Sequence, residues 1–200
     1  MENENGTVFE EVCQKISGCD RLVVFTGAGM SAESGIGVFR GDDGFWTGIL
    51  GKLGLAYFGT PIGWNLTPGL AWRAFHHHFY SPIAKASPNP GHLAIAQLQE
   101  LVPNLRIITQ NVDGLHQKAG SASYRCLEIH GSVSRFKCIY KNHAYNGNPA
   151  DPNVIHYHPQ PICEVEGCGS PIRPDCVLFR ETLDEGTWLM AEGAVRDLGG

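Results

Sequence analysis

Four short groups of residues in this 200-residue chain have types and spacings that could do chemistry. His130 follows the apolar run Cys126-Leu127-Glu128-Ile129 and precedes Gly131-Ser132. A histidine delivered by a strand has an ordinary pKa of about 6.5 and suits general-base work near neutrality. The alternative is a capped loop residue. Gly27-Ala28-Gly29, with Ala32 three further on, fits the G-x-G-x-x-G/A turn that lets a backbone approach a pyrophosphate. On its own that pattern is equally a strand–loop–helix with no ligand. Gln110-Asn111-Val112-Asp113 ends a second apolar run, where amides and a carboxylate could line a pocket or cap a turn. Cys138, Cys163 and Cys168 offer metal-ligating thiols; the spacing asks for a fourth ligand at Lys141, which cannot serve while protonated. His143 is the nearest substitute, with His156 and His158 behind it. A metal-free module is the competing reading.

The elements that must position these groups follow from periodicity. Leu22-Val23-Val24-Phe25 and Leu105-Arg106-Ile107-Ile108-Thr109 read as buried parallel strands, and in such sheets ligands gather beyond the carboxyl ends. Residues 126–129 read as a short strand; a further sheet strand is expected near 176–179, after the run Ile172 to Phe179. Val8, Phe9, Val12 and Ile16 mark an amphipathic helix over 7–18, capped by Thr7 and stopped by Gly18. Trp72, Phe75 and Phe79 share one face of a helix over 70–80. Its run His76-His77-His78 cannot converge on one ion from a regular helix. A short helix over 91–101 turns Leu93, Ile95, Ala96 and Leu98 inward, and another runs from about 183 to 195. Ser34-Gly35-Ile36-Gly37-Val38-Phe39-Arg40 carries two glycines in three residues, each costing a helix about 1 kcal/mol, so a loop leaves the first turn.

The composition bounds the function. Hydrophobic residues at 42% support a sizeable core, and a net charge of -5 without a polybasic block argues against nucleic acid or membrane as the main partner. The acidic start MENENGTVFEEV resembles neither a secretory signal nor a transit peptide. Seven mostly isolated cysteines suit a reducing compartment, so cytoplasm or nucleus is expected, with a mitochondrial location left open.

The motifs GAGMSAESGIGVFR, TQNVDGLHQKAG, EIHGS and IRPDCVLFRETL, in this order over roughly residues 8 to 198, resemble the sirtuins, NAD-dependent protein deacylases. The resemblance implies an α/β fold with a Rossmann-like parallel sheet in 1–135 and 172–200, a helical and loop insertion at about 41–90, and a small zinc-binding module in 136–171. It implies NAD against Gly27, Ala28, Gly29, Ser31, Glu33, Ser34, Gly35, Phe39, Arg40 and Trp46, and against Gln110, Asn111, Val112 and Asp113. Phe39 and Arg40 would belong to a mobile cofactor loop, and Val112 and Asp113 would hold the nicotinamide carboxamide. Asn111 would stand near the ribose, and His130 would be the base activating a ribose hydroxyl. One zinc ion on Cys138, Cys163 and Cys168, its fourth ligand open, and an acyl-lysine protein or peptide substrate complete the set. The branch most resembled removes succinyl, malonyl or glutaryl groups with a Tyr and an Arg; Phe75 and His78 stand at those positions, so deacetylation is expected at least as readily.

Three departures stand out. Gly37 replaces a proline, and Arg180 replaces the glycine of a Phe-Gly-Glu bordering the peptide cleft. The later Gly-Thr-Ser turn and the adenosine-holding Asn do not occur before Gly200, which reads as an apparent truncation. Two alternatives therefore accompany the enzyme reading: a catalytically impaired NAD-binding or zinc-dependent interaction module, and a mono-ADP-ribosyltransferase.

Overall fold

The computed structural model describes residues 2–37, 57–147 and 161–198, with side chains from Val8 onward. Its first sheet is parallel, in the order β1 (Arg21–Thr26), β2 (Asn104–Thr109), β3 (Cys126–Glu128). The register pairs Thr26 with Thr109, and Thr109 with Glu128. All three strands therefore end level, and whatever follows each of them shares one edge.

Alternation along these strands builds two apolar layers. Leu22, Val24, Leu105 and Ile107 pack towards Ile16 of α1 (Glu2–Ser17) and towards Ile95 and Leu98 of α6 (Pro90–Leu101). Val23, Ile108 and Ile129 face Ala191 of α7 (Glu185–Arg196) on the other side. Helices thus cover both faces of the sheet, the α/β arrangement that the sequence predicts.

The second sheet is antiparallel, with β4 (Gly131–Cys138) flanked by β5 (Ala144–Tyr145) and β6 (Ile172–Cys176). The small sheet draws on residues both sides of 135 and 171. An aromatic core packs against the antiparallel sheet. The Trp64 and Trp72 rings meet edge-on at 5.4 Å, and Phe75 and Phe136 contact Trp72. Trp72 is fully buried, and its Nε1–H donates to the Ile172 carbonyl at 2.7 Å, so the one polar atom of a large apolar side chain is satisfied. Trp72 lies in α4 (Pro68–Phe75), which follows α3 (Pro61–Leu66).

Four expectations need correction. The strand expected near 176–179 is β6, which ends at Cys176 and pairs with β4, so the third parallel strand is β3 instead. Leu93 is exposed, and α6 buries His92 and Gln99 in its place, because the N-cap at Asn89 rotates His92 inward. Val8, Phe9 and Val12 of α1 are exposed, and of the predicted apolar face only Ile16 reaches the core. The histidine run is not regular α-helix: His76–Tyr80 is a π-turn leading into α5 (Ser81–Lys85). Pro82 supplies the reason, since a proline cannot donate and its ring crowds the carbonyl of the preceding turn, which the wider turn relieves.

Candidate functional site

The edge where β1 and β2 end is stitched together by polar side chains. Thr26 Oγ1 donates to Thr109 Oγ1 at 2.8 Å, and the Gln110 N–H donates to the Thr26 carbonyl at 3.0 Å. Asn111 Nδ2 donates to both the Gly27 carbonyl and Ser31 Oγ at 3.0 Å. Ser31 Oγ in turn donates to Asp113 Oδ2 at 2.7 Å, and the Leu115 N–H donates to Asp113 Oδ1 at 2.8 Å. Asp113 is buried, and each of its oxygens is fixed by a donor. Charge-assisted bonds of this kind are roughly twice as strong as neutral ones, so the carboxylate is held in one orientation.

The turn after β1 is tighter than a Rossmann helix start. α2 (Gly29–Ala32) is a single turn, and Gly35 follows in the left-handed region at φ 78, which glycine adopts without strain. Asn89, outside the predicted site, anchors this turn. Its Nδ2 donates to the Met30 carbonyl at 2.7 Å and to Ser34 Oγ at 3.1 Å, while its Oδ1 caps α6. A Cβ at Gly29 would meet no atom within 4 Å, and one at Gly27 would touch Gln110 Oε1 at 3.4 Å. The space over the turn is therefore open, as close approach of a dinucleotide backbone requires.

His130 follows β3. Its Nδ1 lies 3.0 Å from the Gln110 carbonyl, which can only accept, so Nδ1 carries the proton and Nε2 presents its lone pair. Gly131, at φ 78, cannot be any other residue cheaply, because a Cβ there would collide with the Asp175 carbonyl of β6. This close crossing of β4 and β6 sets the backbone that carries His130.

Two adjoining hollows meet at the strand ends. The smaller is lined by Ser31, Ile36, Asp113, His78 and Ile83 among others; the larger, about 570 Å³, by His130, Gln110, Phe75, Val133 and Leu178 among others. Ala28, Phe79, Asn111 and Val112 line both. Asp113 and His130 thus stand on opposite sides of a shared wall. The large hollow is bounded by the segment Val177 to Glu181, which is braced from behind. Buried Arg173 grips both oxygens of Glu181, at 2.8 and 3.1 Å, and the Leu178 N–H donates to the same carboxylate.

Behind Asp113 lies a buried histidine pair, His92 and His116, with ring centroids 5.0 Å apart. His92 Nδ1 accepts from the Asn89 N–H, and His116 Nε2 pairs with Thr26 Oγ1 at 3.0 Å. The opposite nitrogens, His92 Nε2 and His116 Nδ1, have no partner among the described residues. Burial, with repulsion from His92, pushes His116 down to about 4 against the opposing pull of Asp113; burial also lowers His92. Both rings are neutral at pH 7.

In the small module, Cys138, His143, Cys163 and Cys168 place one ligand atom each within 4.8 Å of one another. Cys138 Sγ and Cys168 Sγ are 3.9 Å apart, and Cys163 Sγ and His143 Nδ1 are 3.5 Å apart. Tetrahedral zinc with Zn–S of about 2.3 Å and Zn–N of about 2.0 Å demands edges of about 3.8 Å (S to S) and about 3.5 Å (S to N). The four residues fit one zinc ion, and His143 supplies the fourth ligand that the sequence leaves open. Ser170 hydrogen-bonds to Cys168 and pulls its thiol down to about 6, favouring the thiolate a metal needs; burial pushes Cys163 up.

The structure distributes the predicted site residues over the two hollows. Gln110 and His130 line the large one, Ser31 and Asp113 the small one, and Ala28, Asn111 and Val112 both. Phe75 lines the large hollow, whereas His78 lines the small one, so the two substrate candidates do not share a wall. Ser34 is tied to Asn89, and Glu33 is exposed beside it. Phe39, Arg40, Trp46, His156 and His158 lie outside the described residues. Sequence reasoning misses Asn89 as an anchor, the Thr26–Thr109 bridge, the His92–His116 pair and the Arg173–Glu181 brace. An Asn immediately before Pro90, with His three residues on, is a readable capping signal for the first of these. The bridge and the pair join residues remote in the chain, and the brace shows no pattern of its own.

Residues 27–197 match the sequence model described as the Sir2 family. NAD-dependent protein deacylase 1 of Caldanaerobacter subterraneus subsp. tengcongensis is 38% identical over 175 residues, covering 88% of this chain and 67% of that protein. The Canis lupus familiaris protein named NAD-dependent protein deacylase sirtuin-5, mitochondrial, is 38% identical over 183 residues, covering 82% of this chain and 57% of its own length. Among solved structures, a mutant Sir2 homologue in complex with ADP ribose superposes with a TM-score of 0.78 at 33% identity, covering 93% of this chain and 70% of that one. The chain therefore spans about two thirds or less of the length of these two curated relatives.

Proposed function

We infer, since this chain belongs to the Sir2 family, that it is an NAD-dependent protein deacylase that moves the acyl group of a modified lysine onto ADP-ribose and releases nicotinamide. One observation carries the reading: a histidine whose Nε2 lone pair faces a large apolar-walled hollow, across a shared wall from a fixed buried carboxylate.

NAD, when bound, would supply a ribose carbon whose bond to nicotinamide can break and so an acceptor for the acyl group. Gly27, Ala28 and Gly29 leave its approach open, and Asn111, Val112 and Asp113 would hold its nicotinamide end. Asp113 can accept from a carboxamide N–H without moving, because Ser31 and Leu115 already orient it. Phe79, Ile83 and Ile36 exclude water from the same recess, which disfavours simple hydrolysis. In the large hollow, Phe75, Phe79 and Val133 would enclose the acyl-lysine stem. His130 takes a proton at Nε2 while the Gln110 carbonyl holds its Nδ1–H, so the imidazolium that forms remains hydrogen-bonded. Cys138, His143, Cys163 and Cys168 would hold zinc as a closed structural site, which would tie the small sheet together rather than take part in the reaction.

Deacetylation is favoured over removal of acidic acyl groups, since the described walls beside Phe75 are apolar. We assign an acyl-lysine protein or peptide as partner, with neither nucleic acid nor membrane as a direct one, and a cytoplasmic or nuclear location on thiol chemistry. No helix among the described residues is long and apolar enough to cross a membrane. The test is nicotinamide release from NAD that depends on an acetyl-lysine peptide. Removing the base in His130→Ala should lower it by about 10²- to 10⁴-fold. Multiple-turnover release that persists undiminished in His130→Ala, or release that ignores the peptide, would overturn the assignment.

A further inference from the structure

The residue that least fits its backbone is Arg180. It occupies the left-handed region at φ 74, where an L side chain is disfavoured, and Asn142 is the only other non-glycine with positive φ among the described residues. Nothing in the packing explains an arginine there, since the residue is exposed. Its position is informative. Arg180 lies on the rim of the large hollow, between Phe179 and Glu181, on the segment that Arg173 braces from behind. Three ionisable side chains besides the cysteine thiol line that hollow: His130, Glu181 and Arg180. Glu181 is consumed by Arg173 and the Leu178 N–H, and His130 is tied to Gln110. The Arg180 guanidinium makes no hydrogen bond or ion pair among the described residues. The brace matters as much as the cation. Because Glu181 is turned inward to Arg173, it does not neutralise its neighbour, and the rim keeps a net positive charge in a protein of net charge -5.

We propose that Arg180 is a substrate-selecting residue that binds a carboxylate at the mouth of the cleft. This rests on the deacylase reading, because the cleft is there taken to receive an acyl-lysine peptide. A guanidinium offers a planar two-pronged donor that matches a carboxylate. Two sources can provide it: an Asp or Glu beside the modified lysine, or the terminal carboxylate of a dicarboxylic acyl chain. The first lies at the rim, the second would have to fold back from the apolar interior.

Binding by fluorescence anisotropy tests this without requiring turnover. Three labelled peptides are compared on the full chain: acetyl-lysine flanked by Ala, acetyl-lysine flanked by Glu, and succinyl-lysine flanked by Ala. The proteins are the native chain, Arg180→Gln and Arg180→Gly, each shown folded by circular dichroism. An exposed ion pair supports a preference of about fivefold for at least one acid-bearing peptide, shrinking towards unity in Arg180→Gln and at high salt. Which acidic peptide gains identifies the source. Equal binding of all three to the native chain, or a preference that survives in Arg180→Gln, overturns the role of Arg180 and leaves the deacylase reading standing. Binding of none of the three, at any NAD concentration, removes both.

Discussion

The two sheets meet in one site but are held by different physics. The parallel sheet closes on itself: its strand ends are joined by Thr26–Thr109, Asn111–Gly27 and Ser31–Asp113, and its layers are filled by Leu105, Ile107 and Ile108. The antiparallel sheet packs on the aromatic core but has little to close its far end. β5 is two residues long, and the far end of the module brings together three sulfurs and an imidazole. At the strand ends of the first region the chain's own groups hold one another, whereas in the second an ion would hold three thiols and an imidazole together. Function follows the same division: the closed region fixes Asp113 and Asn111, and the ion-dependent one presents His130 through the Gly131 crossing.

Stripping the metal attacks that contrast hardest. Structural zinc contributes about 10 kcal/mol or more of apparent binding energy to folding. A strong chelator, or Cys163→Ser, should accelerate amide exchange in 131–138 and 172–176 by orders of magnitude while 104–109 stays protected. Uniform loss of protection in both sheets would erase the distinction.

Acid attacks the other side. His116 sits at about 4 when folded against about 6.5 when unfolded, so the unfolded chain binds the extra proton between those values. Stability is therefore full above pH 6.5 and falls as the pH drops towards 4, by about 2–3 kcal/mol from this residue. Urea melts across that range should show the slope, and His116→Phe should flatten it. An unchanged slope in the variant would mean that the histidine pair does not set acid stability.

Asn89→Ala should cost about 1–2 kcal/mol by unmaking the α6 cap, and should also weaken dinucleotide binding by freeing the turn at Met30 and Ser34. An alanine that destabilises without touching NAD affinity would reduce Asn89 to a cap. Smallest is Arg180→Gly, which should stabilise by about 1 kcal/mol because glycine accepts φ 74 without the Cβ penalty. Loss of stability in that variant would mean the arginine holds a contact worth more than its strain.

The sequence made some of this legible and not the rest, for identifiable reasons. Leu22–Phe25 and Leu105–Thr109 were readable as strands because apolar runs ending in Gly-x-Gly or Gln-Asn have few other solutions, but only the second is buried as expected: β1 lies at the sheet edge and leaves Phe25 exposed. The run Ile172 to Phe179 was readable as strand-like, but neither the true bounds Ile172–Cys176 nor the pairing with β4 was, since an apolar run carries no information about which sheet it joins. Leu93 misled because period alone does not fix helix phase; the Asn89 cap does. His143 lay in reach of the cysteines along the chain, and its 3.5 Å approach to Cys163 is what brings it into the cluster among the described residues. The Arg173–Glu181 brace is local in sequence, but its purpose appears only when Arg180 is seen on the rim.

The most direct measurement is product analysis by mass spectrometry after the chain is mixed with NAD and an acetyl-lysine peptide. A deacylase of this kind should yield nicotinamide and acetylated ADP-ribose in equal amounts, with one deacetylated peptide for each. Free acetate with NAD intact, or ADP-ribose attached to protein without loss of the acetyl group, would contradict it.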